Sequence, residues 1–202
     1  LIVDLEGLER EIVVGLALPE PSREVVVHVF ASRREYESFI STSYPQLPNR
    51  RAYFLGTPKK LAVYTFWGDR IQEDLRHEFT HGILHSSLKH VPLWLDEGLA
   101  QWLEGEARGT REGALFRARQ TLSGQELHAW DTLSGSLASW ADGEAVARAY
   151  AQSLLLVDHL ARQYGERLVL QLVEGCGRGL PPEATFRDQL QLDLWETVAA
   201  EG

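Results

Sequence analysis

His77-Glu78-Phe79-Thr80-His81 places two imidazoles four residues apart, with a carboxylate beside the first. Four residues are about one helical turn, so on a helix both rings project from one face. Rings so placed can hold one metal ion together, and the adjacent Glu78 can act as a base on water bound to it. This chemistry requires a helix, and the flanking residues supply one. No Pro occurs from Asp69 to Val91. Asp69 suits an N-cap, with Gln72 at the capping-box position three residues on. Glu73 and Asp74 put negative charge in the first turn, where the helix dipole favours it. Ile71, Leu75, Phe79 and Ile83 recur at helical spacing and form the stripe to be buried. The spacing predicts a helix from about Asp69 to about Leu88, ended before Pro92, with Gly82 marking a close approach.

Two imidazoles do not complete a catalytic zinc site, which usually has three protein ligands and one open position. The longer metzincin motif would need Gly at 84 and His at 87, where this chain has Leu84 and Ser87. The next segment, Val91-Pro92-Leu93-Trp94-Leu95-Asp96-Glu97-Gly98-Leu99-Ala100-Gln101-Trp102-Leu103-Glu104, reads as a second helix running back past the first. Glu97 and Asp96 are rival third ligands. They point about 100° apart on a helix, so one of them serves and the other does not. Glu97 is preferred because Gly98 and Ala100 would let its helix approach the first one closely. Asp96 then reads as an acid at a helix N-terminus. Trp94 and Trp102 flank Glu97 and read as packing residues.

Leu75-Arg76-His77-Glu78-Phe79-Thr80-His81 followed by Pro92-Leu93-Trp94-Leu95-Asp96-Glu97-Gly98-Leu99-Ala100 resembles the peptidase MA-like gluzincins, the thermolysin-type zinc peptidases. Ala149-Tyr150-Ala151-Gln152-Ser153, Asp158-His159-Leu160 and Tyr164-Gly165 are similar to the helix that follows in bacterial members of that group. The resemblance spans residues 24–195 and is sharp at 75–81, 92–100 and 149–165. It implies a zincin-like fold, zinc as cofactor, His77, His81 and Glu97 as ligands, and Glu78 as general base. It also implies that the strand before the metal helix, 61–66, pairs with an extended peptide or protein substrate; an ordinary sheet edge is the alternative. One position departs from the pattern. Thermolysin carries an Asp four residues after its ligand Glu, which supports a ligand His, whereas this chain has Gln101.

Composition sets the outer bounds. The 202 residues suffice for one domain with a sizeable core. A 44% apolar and 24% charged composition is that of an ordinary globular chain. Net charge −9 argues against nucleic acid or an anionic membrane surface as partner. No apolar run nears the length of a transmembrane helix. A chain that opens on Leu1 and has no Met reads as a trimmed or mature fragment, which fits an extracytoplasmic location after loss of a targeting segment. The lone Cys176 excludes an internal disulfide and reads as part of a turn with Gly175, Gly177 and Gly179.

The predicted fold is α+β, a single zincin-like domain over 1–202. A β-rich part (1–68) with a small mixed sheet is followed by a helical part (69–202). Glu24–Phe30 reads as a buried strand and Ser32–Ser41 as a helix with Ser32 as N-cap. Arg51–Leu55 and Leu61–Phe66 read as strands around Gly56–Lys60. Further on, Glu104–Gly113 reads as a loop and Ala114–Leu122 as a helix. Leu133, Leu137 and Trp140 are predicted to anchor a loop over 123–143. Helices are expected at Glu144–Tyr164, closed by Gly165, and at Glu166–Glu174, Pro182–Leu190 and Asp193–Ala200. Tyr150 is the candidate second electrophile for the oxyanion, with a packed aromatic as its alternative. His85 could line the site floor or be a plain polar helix residue; His28, His90, His128 and His159 carry no spacing signal. The function expected is a zinc-dependent peptidase. The alternatives are a catalytically silent zincin-like binding or scaffold module and a metal hydrolase with a non-peptide substrate.

Overall fold

A computed structural model describes residues 2–106, 111–129, 133, 143–182, 184 and 187. The fold is α+β, with a three-stranded mixed sheet and a helical C-terminal part. The elements run α1 (Ile2–Gly15), β1 (Val25–Phe30), α2 (Arg33–Ser43), β2 (Tyr53–Gly56), β3 (Leu61–Phe66), α3 (Ile71–Ser87), α4 (Leu93–Glu106), α5 (Arg111–Leu122), α6 (Gly143–Tyr164) and α7 (Glu166–Arg178). Leu137 and Trp140, and nearly all of the two expected C-terminal helices, lie outside the described residues. Among those residues, no helix is long and apolar enough to cross a membrane.

The sheet order is β1-β3-β2. β3 pairs in parallel with β1 (Val27 opposite Val63) and antiparallel with β2 (Phe54 opposite Val63). All six residues of β3 are buried, as a central strand covered on both faces must be. This overturns the substrate role expected of residues 61–66: both edges of β3 are already paired, so it has no free edge to offer a peptide. One face carries an aromatic cluster of Tyr36, Tyr53, Tyr64 and Phe66 under α2. The other face packs on α3 and joins the main core.

Helix α2 begins as expected, with Ser32 Oγ accepting from Glu35 N at 3.3 Å. Helix α3 does not. It starts one residue later, with Arg70 as N-cap and no side-chain cap bond, while the exposed Asp69 carboxylate stands 3.6 Å from Arg51. The first 68 residues also hold a helix that was not expected. Leu5, Leu8, Ile12 and Leu16 form the stripe of α1, hidden in the sequence among β-branched neighbours, and Glu11 pairs with Arg76 of α3 at 2.8 Å. Cys176 sits in helix α7 rather than in a turn, because Leu168, Val169, Leu172, Val173 and Cys176 continue one buried stripe. Gly179 (φ 81°) ends that helix, and Gly165 (φ 82°) ends α6 as expected.

Two glycines set helix spacing. A Cβ on Gly82 would stand 2.6 Å from Val25 Cγ1, so α3 lies tightly on β1. A Cβ on Gly98 would stand 2.6 Å from both the Ser153 carbonyl oxygen and Val157 Cγ2. Gly98 therefore brings α4 against α6, not against α3 as its sequence neighbourhood suggested. Trp94 and Leu95 of α4 are fully buried and fill the interior. Gly98→Ala is expected to cost about 1–3 kcal/mol by overpacking, read as a lower denaturation midpoint, and to weaken metal binding because Glu97 is its neighbour. Unchanged stability would show that the two helices can part without loss.

Candidate metal centre

Helix α3 presents His77, Glu78 and His81, and α4 brings Glu97 to them from the opposite side. His77 Nε2 and His81 Nε2 lie 3.2 Å apart. Glu97 Oε2 lies 3.5 Å from the first and 3.7 Å from the second. One ligand atom from each of these residues falls within 4.8 Å of the others, a group that could hold a metal ion. Glu97 Oε2 is buried and has no hydrogen-bond partner. An orphaned buried carboxylate oxygen is costly unless a cation satisfies it, so the donor set fits a metal.

Each imidazole is held from behind. His81 Nδ1 meets Asp96 Oδ1 at 2.8 Å, and His77 Nδ1 meets Glu104 Oε2 at 3.2 Å. An Nδ1–H donated to a carboxylate leaves the Nε2 lone pair facing the common point, the usual way a ligand histidine is oriented. Asp96, the rival ligand, is thus turned away from the cluster. Its second oxygen reaches His85 Nε2 at 2.9 Å, and the His85 ring stacks on Phe54 with centroids 5.3 Å apart. Gln101 does not replace the thermolysin Asp: its Nε2 donates to the backbone oxygens of Glu97 (3.1 Å) and Tyr150 (3.0 Å), tying α4 to α6. The carboxylate behind His77 comes instead from Glu104, one turn further. The signal for Glu104 was in the sequence, since positions 97, 101 and 104 share one helical face.

Glu78 stands beside the cluster and outside it. Its Oε2 accepts the backbone N–H of Phe54 at 2.6 Å, which fixes the carboxylate between α3 and β2. β2 is the edge strand on this side of the sheet, and the Phe54 N–H points off that edge. Burial raises the Glu78 carboxyl above its usual range, against the pull of His77 and His81. Tyr150, on α6, accepts a hydrogen bond from Arg50 Nη1 at 2.9 Å. Burial, reinforced by Glu97, pushes the phenol upward, so it stays protonated. Arg50 carried no signal in the sequence; it sits in the turn between α2 and β2 and is joined to Tyr150 only by the fold. Trp94 and Trp102 are buried in the packing.

With this geometry in place, the sequence pattern of the peptidase MA superfamily matches residues 59–195, more than half of the chain. The chain belongs to the peptidase MA superfamily. No curated protein matches it.

The carboxylates around the two imidazoles favour their charged forms, which compete with a metal. Burial works against a charge on His81, but Asp96 and Glu97 outweigh it and push its pKa from 6.5 up to about 9. His77 is raised well above the same value; burial again opposes, and Glu104 and Glu97 prevail. A folded pKa above the unfolded one stabilises the metal-free protein below about pH 6.5, and that contribution fades as pH rises through about 9. Metal binding needs neutral rings, so its stabilisation grows over the same window. The gap in melting temperature between metal-loaded and metal-free protein is therefore expected to widen from pH 6 to pH 9; a constant gap would contradict the coupling. Glu104→Ala should weaken metal affinity about 10- to 100-fold, measured by competition with a chelator, with Glu104→Gln retaining part of it. Equal affinity in the alanine variant and the parent would remove Glu104 from the site.

Proposed function

We propose that the chain is a zinc-dependent peptidase of the gluzincin type, with His77, His81 and Glu97 as metal ligands, Glu78 as general base and Tyr150 as a hydrogen-bond donor to the oxyanion. The observation that carries this reading is the convergence of two Nε2 atoms and an orphaned carboxylate oxygen beside a second, backbone-anchored carboxylate. Two imidazoles and one carboxylate are a donor set suited to zinc. When bound there, the ion would supply Lewis-acid polarisation of a carbonyl and of water.

The chain's own groups supply the rest. Glu78 Oε2 takes the proton of the attacking water and passes it to the nitrogen of the leaving amine. Its raised pKa favours holding that proton between the two steps. The Phe54 N–H keeps the carboxylate aimed while it does so. Tyr150, a protonated phenol steadied by Arg50, can donate its O–H to a developing oxyanion. A peptide or protein is the substrate class that superfamily membership supports. β2 offers an extended peptide the outer edge that β3 lacks, apart from the Phe54 N–H that Glu78 holds.

Glu78→Gln keeps size and polarity and cannot take a proton. It is expected to retain zinc and its melting temperature while hydrolysis of a broad peptide pool falls about 10²- to 10⁴-fold. Equal turnover by both forms would remove Glu78 from the mechanism. Zinc bound with no turnover by either form would favour the silent binding module.

A further inference from the structure

Arg50 lies outside the segment that the superfamily pattern covers, yet the fold carries it to the metal centre. Its Nη1 donates to the Tyr150 hydroxyl at 2.9 Å, and its guanidinium carbon stands 5.8 Å from the Tyr150 ring centroid. The Gln101 amide joins the Tyr150 backbone to that of Glu97 at 3.0 and 3.1 Å. A fixed positive charge thus stands on a residue tied to the one that carries the carboxylate of the cluster. The next residue shows the contrast. Arg51 is spent on the scaffold, paired with Asp74 at 3.2 Å and Asp69 at 3.6 Å. Arg50 is exposed, and among the described residues no carboxylate forms an ion pair with it. A guanidinium has five N–H donors in a rigid fork that matches a carboxylate edge-on; Tyr150 engages one of its nitrogens and orients the rest.

The charge around the centre makes this placement consequential. Glu78, Asp96, Glu97 and Glu104 surround the two imidazoles, so an approaching anion meets repulsion unless a cation receives it. We propose that Arg50 is a specificity residue that binds a carboxylate of the substrate close to the bond to be cut. Its hydrogen bond to Tyr150, whose backbone the Gln101 amide ties to Glu97, holds it beside the cluster. That carboxylate has two chemical sources, the α-carboxylate of a chain end or the side chain of Asp or Glu. The site would accordingly trim C-termini or cut beside acidic residues. The inference rests on the peptidase reading for its substrate, and its test separates the two.

Three short peptides of one sequence distinguish the cases: a free C-terminal acid, its C-terminal amide, and an amide ending in Glu. Binding of each to the zinc-loaded protein is measured by calorimetry, with hydrolysis followed in parallel, for the parent, Arg50→Gln and Arg50→Lys. Metal content and melting temperature are recorded for every form. The parent is expected to bind one carboxylate peptide about 10- to 100-fold more tightly than the neutral amide, the size of a charge-assisted contact. Arg50→Gln should erase that preference and Arg50→Lys keep part of it, at unchanged metal content. Preference for the free acid identifies the chain end; preference for the Glu amide identifies the side chain. Equal binding of all three, no binding at all, or a preference that survives Arg50→Gln overturns the proposal. Preference without cleavage leaves Arg50 in its role and removes the peptidase reading, whereas cleavage without preference does the reverse.

Discussion

Two imidazole nitrogens 3.2 Å apart, next to a buried carboxylate oxygen with no partner, form an arrangement that protein groups alone satisfy poorly. The surrounding structure maintains that crowding. Asp96 and Glu104 each hold the far nitrogen of one ring, so neither ring can turn away. Both carboxylates stand on α4, the helix that also supplies Glu97. One helix therefore gives the third proposed ligand and the supports for the other two, and its position relative to α3 decides whether the cluster forms.

That position is set away from the site. Gly98 lets α4 sit against the α6 backbone at a distance no side chain would allow. Trp94, Leu95 and Leu99 of α4 are fully buried in the core that joins the helices. Gly82 does the equivalent work for α3 against β1, and Val63 of β3 joins the sheet to the same core. β2 then lies where its Phe54 N–H can fix Glu78. Sheet, metal helix and supporting helix act as one positioning frame, and the chemistry sits where their edges meet.

Much of this was legible in the sequence, for identifiable reasons. The α3 stripe and the His-Glu-x-x-His spacing are local patterns with a fixed geometric meaning. Helical direction says that Asp96 and Glu97 do not both serve. Gly98 and Ala100 favour Glu97 in the sequence, yet Gly98 packs on α6 rather than α3, while the group that could hold a metal includes Glu97 and not Asp96. What escaped depends on where elements meet. Sheet order put β3 in the centre and β2 at the edge, which no run of apolar residues announces. Helix α1 was masked by β-branched residues that are neutral evidence between helix and strand. Helix α3 takes Arg70 rather than Asp69 as its N-cap, one residue later than the capping pattern predicted. Arg50 meets Tyr150 across 100 residues, a contact with no sequence signal at all. Glu104 was the readable omission, lying two turns from Glu97 on the same face.

The central claim is that His77, His81 and Glu97 hold one zinc ion while Asp96 and Glu104 stand behind the rings. The most direct measurement is a crystal structure of the zinc-loaded protein with anomalous diffraction recorded at the zinc edge. The account requires a single zinc per chain, bonded to His77 Nε2, His81 Nε2 and a Glu97 carboxylate oxygen at about 2.0–2.2 Å, with Glu78 off the metal. Zinc bonded to Asp96 or Glu104 in place of Glu97, or no zinc signal between α3 and α4, would contradict it.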